Sequence, residues 1–214
     1  MTAPNPTPIF RMVHIDNLDT ILRRGRMHGT NHIPNDGLPF KTIHNVDIQN
    51  ERHIRPIRKG PGGTMHDYVP FYLGPRSPML LQLQTGRVSG FTERQPSLIY
   101  LVSTVQVVAD AGLGWVFSDG HGIARYTQWF DRIEDLDKVD WAAVYAQRWT
   151  DTVDDMDRQR KKQAEFLVHQ VCPWDVILGI GVCNYWALAH VETILNRFNA
   201  GLHRPVRMRP EWYY

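Results

Sequence analysis

Lys162-Gln163-Ala164-Glu165-Phe166-Leu167-Val168-His169 sets a carboxylate at the first position of an apolar run. A charge at the mouth of a buried strand is costly unless something opposite requires it. In an extended segment Gln163 shares a face with Glu165, because side chains alternate along a strand. The bland alternative is a strand-end Glu turned to solvent. Downstream, residues 166–171, 177–182 and 206–208 read as strands, with a helix over 192–198 between the last two.

Upstream, residues 9–14 read as a strand after a Pro-bounded start. Asp16 or Asn17 then caps a helix whose stripe is Leu18, Ile21 and Leu22, and Gly25 stands where a left-handed C-terminal residue belongs. From 30 to 63 hydrophobic periodicity is poor, so a long functional loop is expected. Strands follow at 68–73, 98–102 and 115–117, with a helix over 103–111 stopped by Gly112. Residues 131–140 read as polar and irregular, and 141–149 and 154–163 as helical or loop-like. No repeat appears and no G-x-G-x-x-G follows a strand, which argues against a Rossmann site. The pattern is a mixed α+β domain, not an alternating βαβ sheet.

With 214 residues, 43% hydrophobic and 21% charged, a single domain over 1–214 is expected. No apolar stretch reaches the roughly 18–20 residues that span a bilayer. Met1 to Pro8 lacks a signal-peptide pattern, and Cys172 and Cys183 lie in apolar surroundings as expected buried thiols, so a cytoplasmic home follows. No Cys/His cluster of metal-binding type is present, and no metal is expected. The net charge of +2 does not by itself announce a nucleic-acid partner. Basic residues gather at Arg23-Arg24-Gly25-Arg26, from Arg52 to Lys59 and from Arg158 to Lys162, patterns that solvated faces also show.

Three stretches go beyond such generalities. The first is Ile9-Phe10-Arg11-Met12-Val13-His14-Ile15-Asp16-Asn17-Leu18 with Ile21-Leu22-Arg23-Arg24-Gly25. The second, longer and more specific, is Pro61-Gly62-Gly63-Thr64-Met65-His66-Asp67-Tyr68-Val69-Pro70-Phe71-Tyr72-Leu73-Gly74-Pro75-Arg76-Ser77-Pro78-Met79-Leu80. The third is Lys162 to Val168 together with the ending Glu211-Trp212-Tyr213-Tyr214. In order, and over essentially the whole chain, they resemble the DarT family of DNA ADP-ribosyltransferase toxins, and the Gln-x-Glu corner is similar to that of mono-ADP-ribosyltransferases generally.

The resemblance implies the ADP-ribosyltransferase fold, a split mixed β-sheet with flanking helices. It implies transfer of ADP-ribose from NAD, as substrate, to a base of single-stranded DNA, with thymine N3 the acceptor in the most similar branch and guanine in another. A DarG-like macrodomain antitoxin is the implied partner, and a monomer is expected. By the same resemblance Glu165 and Arg52 are catalytic, while Arg11, Met12, Val13, Thr20, His28 and Arg52 hold NAD. The family more often shows His where Arg11 stands and Thr where Val13 stands, which turns expectation at Met12 and Val13 toward backbone contacts. Arg52 has Arg55 and Arg58 as near neighbours in sequence. His121, Tyr126, Trp129 and Arg76 are candidates to touch DNA, against a plain core or surface role for each. The Gln-x-Glu corner does not choose among DNA, RNA and protein acceptors, and an inactive nucleic-acid-binding module on the same fold is the rival from another class.

Overall fold

In the computed structural model, which describes residues 2–214, the strands are β1 (Pro8–His14), β2 (Arg26–His28), β3 (Tyr68–Tyr72), β4 (Leu98–Thr104), β5 (Trp115–Ser118), β6 (Trp129–Phe130), β7 (Glu165–His169), β8 (Val171–Pro173), β9 (Gly179–Val182) and β10 (Val206–Met208). The helices are α1 (Asn17–Arg24), α2 (Val46–Ile54), α3 (Pro78–Gln84), α4 (Val105–Asp110), α5 (Trp141–Val144), α6 (Arg158–Lys162) and α7 (Tyr185–Leu195). Eight strands form one sheet in the order β10-β9-β4-β1-β3-β7-β5-β6, and β2 pairs with β8 in a separate ribbon. The β9–β10 pair is parallel and the other pairings are antiparallel, so the sheet is mixed.

Period-two alternation divides the two faces. Ile9 and Val13 of β1, Val69 and Phe71 of β3, Ile99 and Leu101 of β4, and Phe166 and Val168 of β7 enter the main core with α1, α4 and α7. Phe10, Met12, Leu98 and Tyr100 belong to a second core beneath α3, and Tyr68 and Leu167 to a third. Residues of all three cores, among them Val13 and Phe71, Met12, and Tyr68, line the cavity described below.

The sheet is nearly divided in two. β1 and β4 pair over seven residues, whereas β1 and β3 meet only at Phe10–Tyr72. Pro70 supplies a physical cause, because its nitrogen has no hydrogen to offer a neighbouring strand. Its carbonyl accepts instead from Arg11 Nη1 at 2.8 Å, so a side chain bridges the gap where a ladder would run.

The left-handed Gly25, φ 62°, ends α1 as the sequence indicates, while Asp16 makes no side-chain cap there. The expected loop at 30–63 contains α2, capped by the Asn45 side chain. Its apolar residues Val46 and Ile54 are exposed and its one buried residue is Arg52, so no apolar stripe marks it. The loop is tied to α1 by Asn17, which exchanges two hydrogen bonds with the Lys41 backbone, and by the Arg24–Asp36 ion pair. The strand expected over 166–171 breaks at Gln170, φ 57°, giving β7 and β8. α7 begins earlier than its expected start at 192, because Asn184 caps it. Cys172 is buried and its thiol is pushed up to about 12 by that burial, whereas Cys183 is half-buried.

The terminal Trp212 and Tyr213 lock onto the second face. Trp212 meets Phe10 and Tyr100 edge-on, and the Tyr213 hydroxyl lies within hydrogen-bond reach of the Leu98 and Gly181 carbonyls. A Cβ at Gly181 would enter the Trp212 ring. Gly181→Ala is therefore expected to destabilise the fold by about 1–3 kcal/mol through overpacking, read as a lower urea midpoint.

Candidate active site

Where β1 and β3 part, a cavity of about 260 Å³ opens, walled by Arg11, Met12, Val13, His28, Tyr72 and Glu165 among others. Glu165 opens β7 directly across from Tyr72, which is itself paired with Phe10, so three neighbours cross β1, β3 and β7 in one row. Glu165 is 3% exposed and Arg52, brought from α2, is 7% exposed. Arg52 Nη1 donates to Oε2 at 2.8 Å and to Oε1 at 3.1 Å, and the Gly122 amide donates to Oε1 at 3.0 Å. The Glu165 amide donates to Ser118 Oγ, which in turn donates to the Gly120 carbonyl. The carboxylate is thus held from α2, from the turn after β5 and from its own strand. Arg52 Nη2 is buried without a protein partner.

Burial and the Arg52 charge pull the Arg11 guanidinium down to about 10, which leaves it charged at neutral pH. Its Nε is buried without a partner. His28 lines the cavity, Nδ1 likewise unpartnered, and burial with the Arg24 and Arg26 charges lowers its pKa. His121 also lines it, lowered chiefly by burial. Tyr72 is pushed up to about 12 by burial and then by Glu165, so its hydroxyl stays neutral.

The structure therefore brings Arg11, Met12, Val13, His28, Arg52 and Glu165 around one cavity. Thr20 stands outside it. Its buried hydroxyl donates to the Pro39 carbonyl at 2.6 Å, so it fastens the loop that carries Arg52. Gln163 lines the cavity but not by strand alternation: it closes α6 in a near-helical conformation and Glu165 starts the strand afterwards. Trp129 packs against the third core, Tyr126 is exposed, and Arg76 lies over the Tyr214 ring at 4.5 Å, outside this cavity. Sequence reasoning missed Tyr72, His44, His66 and Gly122. Tyr72 and His66 fall within the long motif already quoted, whereas nothing local signals His44 or Gly122. His28 and His32 stand four apart, yet among the described residues no group of three His, Cys, Asp or Glu is placed to hold a metal. No helix is long and apolar enough to cross a membrane among those residues.

The family model described as "ssDNA thymidine ADP-ribosyltransferase, DarT" matches residues 10–214. The chain belongs to the DarT family. A DNA ADP-ribosyl transferase of Thermus sp. (strain 2.9) is 39% identical over 213 residues, covering 100% of this chain and 99% of the relative. The structure of Thermus sp. 2.9 DarT in complex with ADP-ribosylated ssDNA superposes with a TM-score of 0.93 at 38% identity, over 100% of this chain and 99% of that one. That of the same DarT in complex with NAD+ gives 0.89 at 38% identity, over 100% of both chains. As a DarT, the chain is an NAD-dependent DNA ADP-ribosyltransferase with a single-domain α+β fold.

Two outcomes follow from this geometry. A Cβ at Gly122 would collide with the Met65 methyl and crowd Glu165 Oε1 at 3.0 Å, so Gly122→Ala is expected to slow nicotinamide release about 10-fold or more with a smaller effect on melting. Separately, burial lowers His28, His44, His66, His121 and His169 below 6.5 in the fold. The unfolded chain then binds protons first, so stability is full above 6.5 and is lost as pH falls from there through the folded values. Asp36, held at about 2 mainly by Arg24, and Asp67, held at about 2 mainly by the Thr64 amide, lose their contribution only below 3.8. Urea midpoints should therefore fall as the pH drops below about 6.5.

Proposed function

We propose that this DarT transfers ADP-ribose from NAD to N3 of thymine in single-stranded DNA, releasing nicotinamide, as the toxin of a pair whose antitoxin is a DarG-like macrodomain protein. A cytoplasmic, monomeric enzyme using no metal completes the reading. The observation that carries it is the buried Arg52–Glu165 pair facing the cavity between β1 and β3.

Breaking the nicotinamide–ribose bond builds positive charge on the ribose, as in glycoside hydrolysis. Glu165, held in place by Arg52 and the Gly122 amide, accepts a hydrogen bond from the ribose 2′-hydroxyl that strengthens as that charge grows. Arg11, His28 and the backbone at Met12 and Val13 hold the dinucleotide, with the Arg11 fork suited to a diphosphate or ribose. Thr20 serves NAD binding indirectly, through the loop it fastens.

Arg52 is no general base, since a guanidinium stays protonated. Its free Nη2 donates to a thymine carbonyl and stabilises the N3 anion as the proton leaves. His121, lowered chiefly by burial and next in sequence to Gly122, is the group in the wall that takes that proton. Cations along phosphates and flat side chains against bases supply the remaining DNA affinity.

Labelled NAD incubated with thymine-containing DNA, thymine-free DNA, RNA and protein tests the substrate. Label is expected on the first alone, with mass spectrometry placing it on N3; label on thymine-free DNA would overturn the acceptor, and label on RNA or protein the polymer. Glu165→Gln should slow nicotinamide release by roughly 10²-fold or more, and expression of that variant should no longer arrest growth. Arg52→Ala should abolish transfer, whereas Arg55→Ala at a half-buried site and Arg58→Ala at an exposed one should retain most of it. Equal losses at all three arginines would remove the special role of Arg52.

A further inference from the structure

The turn that carries His121 and Gly122 spans residues 119–128, between β5 and β6, and has almost no apolar core of its own. Of these residues only Gly120 and Gly122 are buried, and Ile123 is partly packed. Its ends are tied to each other, Asp119 N–H to the Gln128 carbonyl and Gln128 N–H to Asp119 Oδ1. The Gly122 amide on Glu165, the Ser118 hydroxyl on the Gly120 carbonyl and the Tyr126 hydroxyl on Asp157 each tie it to the rest of the molecule by one bond, and the most heavily bonded tie is one guanidinium from α6. Arg160 Nη1 donates to Asp119 Oδ1 at 2.8 Å and Thr127 Oγ1 at 3.1 Å, Nη2 lies 3.4 Å from Asp119 Oδ2, and Nε and Nη2 each donate to Asp157 at 2.8 Å. The Tyr126 ring covers the guanidinium at 4.9 Å, and the Arg160 carbonyl accepts from the His121 amide at 2.9 Å. A Cβ at Gly120 would occupy the space of the guanidinium, so the turn is shaped around this side chain. Against the cost of burial, the Asp157 and Asp119 carboxylates raise the Arg160 pKa, and the charge is permanent.

We infer that Arg160 is a positioning residue that holds His121 and Gly122 against Glu165 and so decides whether the ribose cation is captured by the DNA base or by water. The inference rests on the roles given above to Glu165 and His121. In both outcomes the ribose C1′–N bond breaks and nicotinamide leaves with its electron pair. In transfer, the thymine N3 lone pair closes the new C1′–N bond and the N3 proton passes to His121 and then to solvent. In hydrolysis, a water oxygen closes a C1′–O bond and loses a proton to solvent, giving free ADP-ribose. The first outcome needs the base and His121 in register with the sugar, and misplacement by about 1 Å can cost 10²-fold. Water has no register to lose. A loosened turn therefore harms transfer more than nicotinamide release.

The test measures nicotinamide released and ADP-ribose fixed on a thymine oligonucleotide in the same reaction, for the full chain and for Arg160→Lys, Arg160→Gln and Asp119→Asn. DNA modified per nicotinamide released should fall about 10-fold in Arg160→Gln, and less in Arg160→Lys, which keeps the charge but not the fork. Asp119→Asn leaves the Arg160–Asp157 contact intact and should lower the same ratio, so it decides the matter if the Arg160 variants do not fold. An unchanged ratio, even with both rates reduced, would show a merely structural clamp and overturn the inference. Glu165→Gln run in parallel separates the two readings. Full nicotinamide release there would defeat the Glu165 assignment, whereas an inactive Glu165→Gln beside an unchanged ratio defeats the Arg160 inference alone.

Discussion

One row of cross-strand neighbours, Phe10–Tyr72–Glu165, fixes the geometry on which the site depends. Its first pair is the whole of the β1–β3 junction, and its last member is the buried carboxylate. Pro70 has no N–H to offer β1, which works against pairing of β1 and β3 along Arg11 to Val13. The sheet instead keeps one rung, opens beyond it, and lets Arg11 reach the Pro70 carbonyl across the gap. The carboxylate is then delivered at a strand end, where a neighbouring helix and a turn can both reach it. Stripping one partner from a buried ion pair costs on the order of 3–5 kcal/mol, whereas an apolar replacement of both is often neutral. Stability alone does not account for such a pair.

Charge is distributed with the same economy. A chain of net charge +2 has no general attraction for polyanions, yet Arg11, Arg24, Arg26, Lys41 and Arg52 all line the cavity, with Glu165 the one acidic residue among its walls. Arg24 and Lys41 are spoken for by Asp36, Asp16 and Glu93. Among the described residues Arg11 forms no ion pair. Its unneutralised charge lies beside an open cavity, and the low dielectric of the wall makes that charge count for more than it would at the surface.

Much of this was legible in the sequence where burial speaks through apolar residues. Strands β1, β4, β5 and β10 and the end of α1 at Gly25 follow from alternation and turn chemistry. α2 was not legible, because its one buried residue is an arginine and two of its three apolar residues, Val46 and Ile54, are exposed. The Gln163–Glu165 relation was misread in geometry, since a helix end and a strand start meet between the two residues. Glu165 and Arg52 were reached by resemblance of motifs; their pairing, 113 positions apart, could not be read from local pattern. Gly122 and Arg160 belong to the same class, with roles set by backbone amides and long-range carboxylates that leave no period in the chain.

The resting pair raises the question of whether Arg52 must release Glu165 before a substrate can use it. An ionised carboxylate offers about four acceptor sites. Oε1 uses its two, one for the Gly122 amide and one for Arg52, while Oε2 accepts from Arg52 alone. One site on Oε2 therefore remains for a ribose hydroxyl with the pair intact, and Arg52 keeps Nη2 for a second group. On the proposed mechanism the donor sugar and the acceptor base can be held at the same moment, one by Glu165 Oε2 and the other by Arg52 Nη2, with the Arg52–Glu165 pair intact.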